Sequence, residues 1–340
     1  AHAPGDPQPG DVLGGALKLL PQKIPVVQTN VFGHLYNPRE DEWTDFRLFI
    51  SWTSCVQAAR RVFRRLDADF FKRDSVAVYP LDPLEPALDE NIRAFRQKLG
   101  VADDEILFGR LGRPDLGKWS GLAVDAFRLA VRRNAKIKLL LREAPPEVAA
   151  QLRAAPDARR FILLPATADA AELLLTLSAL DVVLHTACNG ESFGYGIAEP
   201  MNLGQPVITH SVPWQDQAQI ELVRHGECGL VARTPTVMNA TILRLAGDVS
   251  LRRKMGAAAQ KHIRVLAATD TSLNRLEKVL HAAVEKRDNP FAAEDLQRAN
   301  ATAAYLDAQQ FGHSLLEQIA LRPHYYRVCF NQFRKVLTRN

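Results

Sequence analysis

Short runs of β-branched and other apolar residues alternate with stretches whose apolar positions recur at helical spacing over most of the 340 residues. That alternation predicts a parallel sheet covered by helices, an α/β fold. The predicted strands are 24–29, 47–51, 76–79, 106–109, 136–141, 160–164, 182–185 and 206–209, and the predicted helices are 54–66, 89–99, 120–133, 146–155, 168–177, 195–203 and 217–224. Two prolines within 81–87 read as a loop crossing between domains, which places a boundary near residue 100. From about Asp270 the strand pattern stops, and 273–284, 292–310 and 313–319 read as helices. The organisation expected is a first domain over 1–100, a second over 101–270 and a helical extension over 271–340.

A hydrophobic content of 47% in a chain this long supports two packed cores. Its longest apolar stretch, 172–184, is interrupted by Thr176, Ser178 and Asp181, short of the roughly 18 residues a spanning helix needs. The excess of Lys and Arg (43) over Asp and Glu (38) gives +5, which suits acidic ligands such as nucleotide phosphates or an anionic membrane face. Cys55, Cys188, Cys228 and Cys329 lie far apart with no metal-ligand spacing, and read as reduced thiols of a cytoplasmic protein. The first residues, Ala1-His2-Ala3-Pro4-Gly5, show no export signal.

The richest stretch for chemistry is Asn189-Gly190-Glu191-Ser192-Phe193-Gly194-Tyr195-Gly196-Ile197-Ala198-Glu199, directly after the predicted strand 182–185. It is a strand, a glycine-rich turn and a helix start. Gly194 and Gly196 admit a ligand close to the backbone, and the N–H groups and dipole of the helix start favour a diphosphate. Glu191 and Glu199, seven residues between them, can face one ligand and accept hydrogen bonds from ribose and sugar hydroxyls. The plainer reading is one loop glutamate and one helix-start glutamate serving the dipole.

These residues resemble the paired-glutamate signature of family 4 glycosyltransferases. The run Gly204-Gln205-Pro206-Val207-Ile208 and then Glu221-Leu222-Val223-Arg224-His225-Gly226 is similar to the segment downstream of that signature in the family. The resemblance covers roughly 105–265. It implies two Rossmann-like domains of the GT-B type, with the N-terminal one incomplete: either a truncated chain or an enzyme with a reduced acceptor domain. It implies that Glu199 binds the ribose, that Glu191 meets the donor sugar and that Ser192, Phe193, Gly194, Tyr195 and Gly196 lie near the donor. The loop Gly109-Arg110-Leu111-Gly112-Arg113-Pro114-Asp115-Leu116-Gly117-Lys118 looks like the family's phosphate grip, which assigns catalytic roles to Arg113 and Lys118 beside Glu191 and a donor contact to Arg110. Fixed cations there would stabilise the charge growing on a departing diphosphate without a metal. Solvated basic loop residues are the alternative.

On the acceptor side the resemblance points to His34 and Asn30, with His2 a further histidine in a loop. Ser51 is similar to a family serine, and also stands where a helix N-cap belongs; Asp216 has the same double reading, donor contact or cap.

The function implied is a retaining, metal-independent transfer of a sugar from a nucleoside-diphosphate sugar, which is a substrate, so that no cofactor and no metal are expected. The acceptor is open among glycan, lipid, protein and small molecule. The tail Arg322-Pro323-His324-Tyr325-Tyr326-Arg327 is open to holding domains together or touching the inner membrane face. The rival readings are a non-catalytic nucleotide-sugar-binding protein and a sugar-nucleotide epimerase on the same fold. Dispersed basic residues with no aromatic-basic sheet motif argue against nucleic acid.

Overall fold

The structure is a computed structural model and describes residues 9–31, 40, 42–115, 118–212, 216–232 and 234–309. They divide into two compact units, one formed by 9–80 with Thr269–Ala308 and the other by Leu81–Ala268. His2, His34, Cys329 and the tail 310–340 lie outside the described residues.

The first unit is built on three parallel strands in the order β1 (Val27–Asn30), β2 (Phe46–Phe49), β3 (Asp74–Val76). Helix Trp52–Ala58 follows β2, capped by Ser51, whose side chain accepts a hydrogen bond from the Ser54 backbone N–H at 3.2 Å. The capping reading of Ser51 therefore holds. Helices Thr269–Val284 and Ala292–Ala308 complete this unit. Val279, Ala282 and Ala283 share a buried cluster with Phe46 and Leu48, and Arg275 reaches the Val76 carbonyl at 2.8 Å and pairs with the buried Asp295. The sequence pattern sets the last helices apart as an extension; in the structure residues 269–308 cover the first sheet, because three strands alone would leave one apolar face in water.

The second unit carries six parallel strands in the order β6 (Phe161–Leu164), β5 (Ile137–Arg142), β4 (Ile106–Leu111), β7 (Val182–Leu184), β9 (Val207–His210), β11 (Gly229–Ala232). The two-residue strands β8 (Gly190–Glu191) and β10 (Asp216–Gln217) pair with each other, apart from this sheet. β4, β5 and β6 run outward in one direction, and the chain then returns to the other side of β4. This is the doubly wound order, and the reversal between β4 and β7 opens a crevice at their carboxyl ends.

Helix Leu122–Val131 buries Leu122, Ala123, Ala126, Phe127 and Ala130, one face at helical spacing, on this sheet. Phe108, Phe127 and Phe161 stack edge to face with centroids 5.9 and 5.7 Å apart at the centre of the core. The boundary read near residue 100 falls instead at 80/81. Helix Asp89–Lys98 belongs with the second unit because Arg96 donates to the Ala179 and Glu105 carbonyls at 2.8 Å each and pairs with Asp181 at 2.9 Å.

Among the described residues Cys55, Cys188 and Cys228 are buried and form no disulfide. Among the described residues no helix is long and apolar enough to cross a membrane.

Candidate active site

Two loops meet at the crevice between β4 and β7. The first leaves β4 at Leu111 and reaches Lys118; the second leaves β7 at His185 and reaches Glu191. Arg110, the residue before the end of β4, shapes the first. Its guanidinium is buried, lies 4.4 Å over the Trp119 ring, and donates to the carbonyls of Leu111, Lys118 and Thr186. Burial lowers its pKa to about 10, so it stays a cation at neutral pH. Trp119 Nε1 donates to the Arg113 carbonyl at 2.7 Å. Arg110 thus spends its donors on the fold of the loop, while Arg113 presents an exposed side chain.

Glu191, at the end of the second loop, is held at three points. Its backbone N–H donates to Gln219 Oε1 at 3.0 Å, its Oε2 pairs with Lys118 Nζ at 2.8 Å, and its Oε1 lies 3.0 Å from His185 Nε2. Burial alone would raise the pKa of this carboxyl, but the His185 hydrogen bond and the Lys118 charge outweigh it and hold Glu191 well below the usual carboxylate range. Burial lowers the pKa of His185, so the pair is an ionised glutamate beside a neutral histidine. Lys118 Nζ also donates to the Gly190 carbonyl at 2.9 Å. Two of its three N–H donors are used among the described residues, and the third is open there to a ligand.

Glycine geometry makes this arrangement possible. Gly190 has φ +61, and a Cβ built there would come within 1.9 Å of the Asp216 carbonyl oxygen, because Gly190 is hydrogen-bonded strand to strand with Asp216. Gly190→Ala is therefore expected to cost about 2–4 kcal/mol, strain plus overlap. Gly226→Ala, at φ +84 with nothing within 4 Å, should cost only about 1 kcal/mol. Urea denaturation of both variants checks this, and equal losses would refute the close approach.

Helix Tyr195–Asn202 opens at Gly194, whose φ is +103 and which supplies no side-chain cap. A Cβ on Gly194 would stand 3.2 Å from the Glu191 Cβ and Cγ, so the helix start and the glutamate are packed against each other. One on Gly196 would stand 3.6 Å from the Leu111 carbonyl oxygen at the end of β4. Phe193 is buried and meets the exposed Tyr195 ring edge to face, centroids 5.0 Å apart. Ser192 donates to Asp216 Oδ2 at 3.0 Å. Asp216 is thus strand-paired and not the helix cap; the cap position before Ala218–Leu222 is Gln217, whose side chain makes no capping bond and accepts instead from Ser211 Oγ and the Val212 N–H. Glu199 is half-buried, and its carboxylate has no hydrogen-bond or ion-pair partner among the described residues; burial raises its pKa.

The structure brings together Glu191, Lys118, Gly194 and Gly196, and sets Arg110 beneath them. Asn30 ends β1 in the first unit, buried. Sequence reasoning missed His185 and Gln219 as partners of Glu191. The signal for His185 is a histidine closing an apolar strand six residues ahead of the glutamate; Gln219 carries none. Among the described residues no group of three or more His, Cys, Asp or Glu side chains is arranged to hold a metal ion.

A scan against protein-family models and a search of curated proteins find no match. Solved structures do match. HepE from Anabaena in complex with UDP and glucose is 20% identical over 76% of this chain and 72% of that chain, with a TM-score of 0.59. Sucrose-phosphate synthase from Thermosynechococcus elongatus is 16% identical over 81% and 72%, with a TM-score of 0.62. WaaG, a glycosyltransferase involved in lipopolysaccharide biosynthesis, is 15% identical over 80% of each chain, with a TM-score of 0.53. At these identities the likeness is one of fold, and the fold is that of the GT-B glycosyltransferases.

Proposed function

We propose that the chain is a retaining, metal-independent glycosyltransferase related to family 4, using a nucleoside-diphosphate sugar as donor. The observation that carries this reading is the ionised Glu191 held beside Lys118 at the doubly wound crevice, next to an uncapped helix start. The diphosphate lies at the start of helix Tyr195–Asn202, where backbone dipoles favour an anion. Lys118 offers it the third donor, and Arg113 a second cation. Glu191, with one lone-pair site on each oxygen occupied, accepts from the hydroxyls of the sugar. Glu199, half-buried and without a carboxylate partner among the described residues, accepts from the ribose. The bond from the anomeric carbon to the diphosphate oxygen breaks, the acceptor oxygen bonds on the same face, and its proton leaves with the diphosphate.

HepE was solved with UDP and glucose and also with UDP-glucose, which makes uridine donors the first to try. Glu199→Ala is expected to weaken nucleoside-diphosphate binding about 10- to 100-fold, the loss of a charged hydrogen-bond acceptor. Calorimetry with UDP and GDP measures it, and unchanged affinity would remove Glu199 from the ribose site. Retention is tested by proton NMR of the anomeric centre in the product, and metal independence by activity in excess chelator. Binding of nucleotide sugar without transfer or hydrolysis across glycan, lipid, protein and small-molecule acceptors would instead favour a binding protein.

A further inference from the structure

Both oxygens of the Glu191 carboxylate are engaged, one by Lys118 in the loop after β4 and the other by His185 at the end of β7, two different kinds of donor. Lys118 alone would supply the charge. An ammonium is a rotatable point charge, however, and a carboxylate paired only with one can turn about its last bond. The second contact removes that freedom. His185 is 4% exposed, its backbone N–H is hydrogen-bonded to the Ile208 carbonyl at 2.8 Å in continuation of the sheet, and its ring is therefore fixed to the scaffold. Thr209, buried on β9, places its hydroxyl 3.5 Å from His185 Nδ1, the outer limit of a hydrogen bond. A threonine hydroxyl donating to Nδ1 leaves the ring proton on Nε2, the atom that faces Glu191. A leucine in place of His185 would fill the same apolar strand end without the cost of burying an imidazole.

We propose that His185, held in its Nε2–H tautomer by Thr209, is a positioning residue that fixes the plane of the Glu191 carboxylate and thereby sets recognition of the donor's sugar as distinct from its nucleotide. The proposal rests on the donor-site reading of Glu191. A neutral donor adds no charge, so the Lys118, Glu191 and His185 trio is neutral as a whole and attraction for the diphosphate is left to Lys118, Arg113 and the helix start. What His185 controls is the direction in which the remaining lone pairs of Glu191 point. Affinity for a nucleoside diphosphate lacking the sugar should not depend on it.

The test compares full-length wild type with His185→Gln, His185→Leu and Thr209→Val, measuring dissociation constants for UDP and UDP-glucose, or for GDP and GDP-mannose if wild type prefers guanine. Gln places an amide N–H near the position of Nε2; Leu places none. His185→Leu is expected to reduce the gain in affinity contributed by the sugar about 10- to 100-fold, with UDP affinity unchanged. His185→Gln should restore most of that gain, and Thr209→Val should lose part of it. Carbon-13 titration of the Glu191 carboxyl adds a ligand-free readout, raised in His185→Leu and close to wild type in His185→Gln. An unchanged sugar gain in His185→Leu, or equal losses in the Gln and Leu variants, overturns the proposal while leaving the donor site standing. Failure of wild type to bind any nucleoside diphosphate overturns the donor reading and this proposal with it.

Discussion

Replacing Lys118 by methionine is expected to lower the rate of sugar transfer about 100- to 1,000-fold, with a much smaller loss of donor affinity. Two properties of the site lead to that split. Negative charge on the departing diphosphate grows only as the glycosidic bond breaks, so a fixed cation acts more strongly on the transition state than on the bound donor. The cation is also already in place: Lys118 Nζ is anchored on the Gly190 carbonyl and Glu191 before any ligand arrives, so little reorganisation accompanies the reaction. The same substitution leaves Glu191 with His185 alone, and its carboxyl pKa should rise because the Lys118 charge is among the causes holding it down. The acid limb of the pH–rate profile then moves to higher pH. Single-turnover rates at saturating donor measure the main effect. An unchanged rate would leave Lys118 as a structural partner of Glu191 and nothing more.

How much of this was legible in the sequence differs between the two units. In the second, the strands of the sheet stand out as β-branched runs, and the pattern at 189–199 announces a glycine turn between strand and helix. What the pattern could not give is the partner of each side chain. Lys118 and Glu191 are 73 positions apart, and only the doubly wound strand order puts β4 and β7 side by side. β11 is short, with glycine at its start and no alternation, so periodicity does not mark it. Asp216 stands before a five-residue helix, which makes a cap the natural local reading; its strand pairing with Gly190 is a tertiary fact.

The first unit is less legible because its core is assembled from distant segments. Arg275 reaches Val76 across 199 positions, and Asn289 donates to the Asp74 carbonyl at 2.8 Å. Nothing local in the helices at 269–308 reports that they cover the strands at 27–76. Their amphipathic spacing says only that one face of each is buried somewhere.

The second unit should lose stability steadily as the pH falls below about 6.5, chiefly through His210. This residue ends β9, is fully buried, and contacts the backbone of Ala187. Burial, with the neighbouring His185 and Arg110 adding to it, drives its pKa down from 6.5 to about 3. Between those values the unfolded chain binds a proton that the folded chain refuses. The stabilisation is therefore complete above 6.5 and declines toward pH 3, at about 1.4 kcal/mol per pH unit for one such group. His185, also lowered by burial, acts in the same sense, and Glu191 adds to it below its ordinary value of 4.5 because its folded pKa is depressed. Glu199, raised by burial, opposes them at the acid end. Lys118 faces Glu191 from the β4 loop and keeps that carboxylate ionised over most of the range. Hydrogen exchange of the β9 amides between pH 7.5 and 4.5, corrected for intrinsic rates, reads the loss where it arises. His210→Gln cannot titrate there and should show a clearly shallower slope than wild type, the remainder belonging to His185 and His262, whose pKa values burial also lowers. Identical slopes in the two proteins would mean that His210 takes up its proton without opening the strand.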